Sequence, residues 1–238
     1  MPQLDGLRAV AVGLVLVGHF FPDIGSFFIP LAWWGVQLFF VLSGFLITQI
    51  VLLQKQKVEL GQSSESAAIR TFYLRRFLRL TPLYYLVIAL ALLFDVGEGR
   101  EISAYLLLYL TNVKMALDAG WVGEYSHLWS LAAEEQFYLV WPGLILYLRN
   151  RYLPVVMITA ILSAIIFQAS VASAGHSIFT NLLLFGVTDA LGMGALMALI
   201  VSTPGEHRFV ARLSRLFIKV LPIAAFAGLL GALIVFYR

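Results

Sequence analysis

Long apolar runs separated by short polar or basic stretches dominate the chain. Seven of them, about 7–22, 30–53, 81–96, 127–148, 153–172, 178–201 and 217–237, approach the roughly 20 apolar residues that a membrane-crossing helix needs. Polar and apolar positions do not alternate as they do in membrane barrel strands, so the runs predict helices. The first and third are short for a full crossing. The stretch 54–69, QKQKVELGQSSESAAI, is the only loop-like insertion of any length. An eighth run, 102–117, carries Asn112 and Lys114 in its apolar sequence.

Charge decides how these runs thread. Basic residues gather in 54–80 (Lys55, Lys57, Arg70, Arg75, Arg76, Arg79), at Arg149 and Arg151, and in 203–219 (Arg208, Arg212, Arg215, Lys219). The positive-inside rule puts all three clusters in the cytoplasm. That holds only if 102–117 does not cross, so the expectation there is a re-entrant or interfacial helix packed in protein. The amino terminus then lies inside and Arg238 outside. The predicted fold is an all-α polytopic membrane protein of about seven transmembrane helices plus one short or re-entrant helix. It forms one membrane domain over 1–238, and a bundle ending straight after a span is expected to lack its closing spans.

Composition agrees with this class. The 238 residues are 61% hydrophobic and 12% charged, against about one half and one quarter in soluble domains. The absence of cysteine excludes disulfides, thiolate metal sites and a cysteine nucleophile. There is no dinucleotide fingerprint, P-loop or zinc helix, and neither a metal nor a nucleic-acid partner is expected. The first run has no basic leader or small-residue cleavage site, so it is expected to be a retained span.

Four segments carry candidate chemistry. Arg8 and His19 sit eleven residues apart in LDGLRAVAVGLVLVGHFF, on one helical face and roughly 16 Å apart along the axis. Ionisable groups inside spans are costly and mark candidate sites. Arg8 also fits a snorkelling cytoplasmic anchor, and His19 fits a general base working near neutral pH. In FYLRRFLRLTPLYY, Arg75, Arg76 and Arg79 precede Pro82, which suits a helix start at the interface. Arg76 and Arg79 share a face, and such a cluster serves either as an anchor or as a phosphate fork. In HLWSLAAEEQFYLVWP, His127, Ser130, Glu134 and Trp141 recur at helical spacing, and Glu134 with Glu135 lies about two turns into a span. On the predicted topology Glu134 and His19 lie at like depth, so a carboxylate could orient the imidazole. In WWGVQLFFVLSGFLIT, Gly35, Ser43 and Gly44 read mainly as close helix packing, and Ser43 lacks the surroundings of a nucleophile elbow. Asp189, in GVTDALGMGALMA, reads equally as a functional or a structural group.

Taken in order over about 3–142, these four strings closely resemble the membrane acyltransferase-3 family, bacterial enzymes that acylate cell-surface and other glycans. The string around Asp189 matches more weakly. The resemblance implies acyl transfer, most often of acetyl from acetyl-CoA, to a sugar hydroxyl, with membrane lipids around the protein and an inner-membrane location. Arg8 and His19 match the family's arginine and catalytic histidine, and Arg76 and Arg79 match its arginine motif linked to the acyl donor. Arg75 belongs to the same basic cluster, and Glu134 and Glu135 match the family's acidic pair. Gln37 stands where many members have aspartate. About ten spans are usual in the family, against seven and a partial one here.

The implied mechanism docks the donor phosphates on Arg76, Arg79 and Arg8, with His19 as base or transient acyl carrier. A transporter or flippase for a lipid-linked glycan, or a non-catalytic scaffold, would use the same buried charges differently. Oligomeric state is not legible.

Overall fold

A computed structural model describes residues 2–175 and 178–202, with the backbone alone described at 2, 3, 22–30 and 178. The predicted span 217–237, the basic stretch 203–219 and His176 lie outside the described residues. Among the described residues, eight α-helices follow in order: α1 (Pro2–Phe20), α2 (Pro22–Glu59), α3 (Glu65–Leu93), α4 (Ser103–Leu107), α5 (Thr111–Asp118), α6 (Leu128–Tyr147), α7 (Leu153–Ser173) and α8 (Leu184–Ser202). There is no strand among the described residues.

Among the described residues, four helical segments are long and apolar enough to cross a membrane: Leu31–Glu59, Glu65–Leu93, Asn150–Ser173 and Leu184–Ser202. α6, predicted as a span, is not among these four. Glu134, Glu135 and Gln136 stand together within α6 and lower its hydropathy.

The stretch expected as a loop-like insertion over 54–69 is largely helical. α2 continues to Glu59, and α3 already starts at Glu65. Ser64 caps α3, its hydroxyl accepting a hydrogen bond from the Ala67 amide at 3.2 Å, and Glu65 complements the dipole of the first turn. Pro82 therefore lies inside α3 rather than at its start. It removes one backbone hydrogen bond, a loss that membrane helices accommodate through neighbouring groups.

Glycines set the central packing. Gly44 of α2 lies against the Leu191 carbonyl of α8, and Gly194 of α8 lies against the Val41 carbonyl of α2. A Cβ at either position would overlap backbone, so these helices touch where a side chain would hold them apart. Gly18 of α1 lies against Ala32 of α2, and Gly35 of α2 against Ala11, Leu14 and Val15 of α1. This pairing makes α1 and α2 antiparallel. α2 and α6 run parallel, joined by Ser43–Glu134, Thr48–Trp141 and Lys55–Ile145 hydrogen bonds. α3 runs against α6, tied by Arg76–Glu135 and Tyr73–Leu139.

One end of the bundle is basic. The Lys55 ammonium donates to the Ile145 carbonyl at 2.8 Å and to the Leu148 carbonyl, closing the end of α6, and Asn150 donates to Glu59 at 3.0 Å. Lys55, Arg149 and Arg151 therefore share this end.

The run 102–117 is a broken pair. α4 and α5, of 5 and 8 residues, are about 8 and 12 Å long, far short of a bilayer's roughly 30 Å core. Between them Tyr109 takes a left-handed φ of 53°, unusual for a residue with a Cβ. Its ring stacks on Tyr84 at 4.2 Å, and its carbonyl accepts from Gln136 at 2.9 Å. Asn112 and Gln136 exchange two amide hydrogen bonds of 3.2 and 2.9 Å, and Asn112 also donates to the Leu182 carbonyl at 3.2 Å. Asn112 is fully buried. These bonds draw the tip of the pair to Gln136, eight residues along α6 and about 12 Å below its start. The run goes into the bundle and comes back.

Candidate active site

Adjacent in sequence, Glu134 and Glu135 are rotated about 100° from each other on α6. The rotation sends them to different neighbours. Glu134 turns to α2 and accepts a hydrogen bond from the Ser43 hydroxyl at 2.5 Å. Glu135 turns to α3 and pairs with Arg76: Nη2 donates to Oε1 at 2.6 Å and Nε donates to the same oxygen at 3.1 Å. The Arg76 guanidinium also lies 3.5 Å over the Tyr138 ring. Two carboxylates thus stand in the bundle interior, each with its own partner.

A small cavity opens on each side of α6, each of about 190 Å³. Val36, Phe39, Phe40, Ser130, Leu131 and Glu134 line the one against α2. The one against α3 includes Tyr73, Arg76, Thr81, Glu135 and Tyr138.

Within the arginine cluster only Arg76 turns inward. Arg75 and Arg79 are exposed, with no hydrogen bond or ion pair from either side chain among the described residues. Arg8 is half-buried near the start of α1, loosely paired with Asp5 at 3.8 Å.

His19 is exposed on α1, and its Nδ1 lies 2.8 Å from the Val15 carbonyl one turn earlier. That carbonyl can only accept, so Nδ1 carries the proton and the neutral ring's lone pair sits on Nε2. Like depth for His19 and Glu134 is not what the structure shows. His19 follows Gly18, which touches Ala32, whereas Glu134 meets Ser43, eleven residues further along α2. The separation along that axis is about 16 Å, and no hydrogen bond joins the two among the described residues. The Val15 carbonyl, and neither glutamate, orients the imidazole. Arg8, at the other end of α1, falls toward the level of Ser43, so the carboxylates lie nearer the arginine end of the opening pair than the histidine end.

Of the remaining expectations, Ser130 and Glu134 face one cavity, while His127 is exposed and Trp141 donates to Thr48 at 2.8 Å. Asp189 accepts from Gln168 of α7 at 3.1 Å, which fits a lock between α7 and α8. No group of three His, Asp or Glu that could hold a metal occurs among the described residues. Ser43, Tyr138 and the Asn112–Gln136 pair were not read from the sequence as site residues. The polar run Glu134-Glu135-Gln136 in an apolar helix was the available signal.

The family model for the acyltransferase domain of acyltransferase family 3 matches residues 1–237. The peptidoglycan O-acetyltransferase OatA of Listeria monocytogenes serovar 1/2a is 37% identical over 61% of this chain and 24% of its own length. The O-acetyltransferase OatA of Staphylococcus aureus strain NCTC 8325 is 31% identical over 65% of this chain and 26% of its own length. The putative peptidoglycan O-acetyltransferase YrhL of Bacillus subtilis strain 168 is 36% identical over 60% and 23%. The chain thus spans about a quarter of the length of these curated relatives. No solved structure matches it significantly.

Proposed function

The chain belongs to acyltransferase family 3, and from that premise we propose that it moves an acyl group, acetyl in the first instance, from acyl-coenzyme A to a hydroxyl of a cell-envelope glycan. The observation that carries this reading is the arrangement around α6: two partnered carboxylates inside the bundle, exposed arginines on the α3 flank and an imidazole near the end of α1 remote from Arg8. The names of the relatives make peptidoglycan the acceptor to test first.

The donor supplies a thioester, an activated carbonyl with a good leaving group. Exposed guanidiniums free of carboxylate partners suit its phosphates, so Arg75 and Arg79 would hold them, with Arg8 as the next cation at similar depth. Arg76 is engaged by Glu135 and Tyr138, and its work is to fix that carboxylate and the wall of the α3-side cavity. His19 takes the proton from the acceptor hydroxyl on Nε2 while Val15 holds Nδ1–H. The hydroxyl oxygen forms the new ester bond to the carbonyl carbon, the carbon–sulfur bond breaks, and the proton passes from the imidazolium to the departing thiolate. With the basic end in the cytoplasm, donor and acceptor approach from opposite faces of the inner membrane.

Replacing both exposed arginines tests the donor site. Arg75→Gln with Arg79→Gln is expected to raise the KM for acetyl-CoA about tenfold or more, with the acceptor KM little changed. An unchanged donor KM, measured with labelled acetyl-CoA on the protein in lipid, rejects this assignment. Movement of a glycan across the membrane without acylation would favour a transporter.

A further inference from the structure

The groove between α2 and α6 has a composition that the donor site does not use. On α2, Trp33, Val36 and Phe40 follow at helical spacing on one face. On α6, Trp129 stacks on Trp33 with ring centroids 6.0 Å apart and planes 14° apart, and its edge meets Phe40 at 5.7 Å. Trp129 is 6% exposed, whereas Trp33 is 42% exposed. The inner ring of the stack is therefore fixed by packing, and the outer one is held flat against it while remaining accessible. Below this pair the groove continues into the cavity lined by Phe40, Ser130 and Glu134. Trp33 follows Ala32, the residue that touches Gly18, so the mouth of the groove lies at the level of His19 on α2.

Resting on the acyltransfer reading, we propose that this groove is the acceptor-saccharide site. The Trp33 indole is the stacking platform for the sugar ring that carries the reacting hydroxyl, and Ser130 and Glu134, deeper in the groove, are hydrogen-bonding groups for the adjoining ring. A pyranose presents an apolar C–H face and a polar hydroxyl edge, which matches a flat aromatic surface leading to a hydroxyl and a carboxylate. A lipid chain matches the aromatic wall but has nothing to offer Glu134 or Ser130 at the bottom. About 190 Å³ admits one ring-sized group and not a coenzyme, which separates this site from the arginine flank on α3. Position follows as well: a ring on Trp33 brings its hydroxyls to the end of the bundle where His19 lies.

The test uses the protein in lipid, with labelled acetyl-CoA as donor and a peptidoglycan-derived disaccharide as acceptor. Trp33→Ala is expected to raise the acceptor KM about tenfold with the donor KM unchanged, and Trp33→Phe to restore most of the affinity. Tryptophan fluorescence supplies a second readout that needs no catalysis. The disaccharide alone quenches the wild type and the Trp34→Phe control, and fails to quench Trp33→Phe. An acceptor KM within twofold of wild type in Trp33→Ala, equal rises in both KM values, or quenching that survives in Trp33→Phe overturns the site and leaves Trp33 as an interfacial aromatic. Disaccharide binding without acetyl transfer would leave the groove standing and remove the acyltransferase reading. Transfer that is indifferent to Trp33 would do the reverse. Neither binding nor transfer in the wild type would overturn both.

Discussion

His19→Ala is expected to lower kcat for acetyl transfer by about 10²–10⁴-fold, the range a positioned general base contributes, while leaving the acetyl-CoA KM within about twofold. The expectation rests on two features of its surroundings. The Nδ1 contact with the Val15 carbonyl leaves Nε2 as the lone-pair nitrogen. The ring is also exposed on a helix packed chiefly against α2, so its removal takes little from the core. Thermal stability in lipid is therefore expected to be near wild type, which distinguishes lost chemistry from lost folding. His19→Asn, which keeps a hydrogen-bonding group without a base, is expected to be as inactive as alanine. Turnover within tenfold of wild type in either variant would mean that another group accepts the proton.

The Arg76–Glu135 pair is expected to show the second large effect, and it falls on structure before chemistry. Side-chain exposures of 16% and 22% place the pair largely inside the bundle, where removing one partner strands the other's charge at a cost of about 3 kcal/mol or more. Glu135→Ala and Arg76→Ala should each lower the unfolding midpoint and the activity together. Arg76→Met with Glu135→Leu removes both charges and keeps the volume. It is expected to recover most of the stability but not the activity, because Arg76 also lies over Tyr138 and shares a cavity wall with Thr81. Recovery of neither, with the single variants additive, would show that the two residues do not act as a pair.

The polar centre also shows what a sequence can and cannot deliver. The apolar runs 153–172 and 178–201 correspond to α7 and α8, except that Ile178–Leu182 forms a 3-10 turn ahead of α8. Long hydrophobic stretches carry their own signal and need no partner to be recognised. The start of α3 was equally local, in Ser64 followed by Glu65, but the density of lysine, glutamine and serine from 54 to 69 reads as a loop when polarity alone is weighed. That Glu134 and Glu135 should serve different neighbours follows from the 100° step of a helix, but which neighbours they meet does not. Ser43 and Arg76 are 91 and 59 residues away in the chain.

The mismatch in depth between His19 and Glu134 has a similar origin. The first helix slides on the second until Gly18 meets Ala32 and Gly35 meets Ala11, a register that no pattern within either helix encodes. Charge balance across the loops leads to a single non-crossing helix over 102–117, not to its break into α4 and α5. Its anchoring by Asn112 and Gln136, and the left-handed Tyr109 it supports, depend on three separate segments arriving together.

These assignments converge on one claim, that an acyl group leaves a thioester held at the arginine flank and becomes an ester on a glycan hydroxyl, with His19 taking the proton. The most direct measurement supplies radiolabelled acetyl-CoA and a peptidoglycan-derived acceptor to the protein in lipid, and follows label into base-labile ester on the glycan, for wild type and His19→Ala side by side. Label is expected on the glycan with the wild type and almost none with the variant. Wild-type protein that binds both substrates and places no label on the glycan, or a His19→Ala variant that labels it as fast as wild type, would contradict that claim.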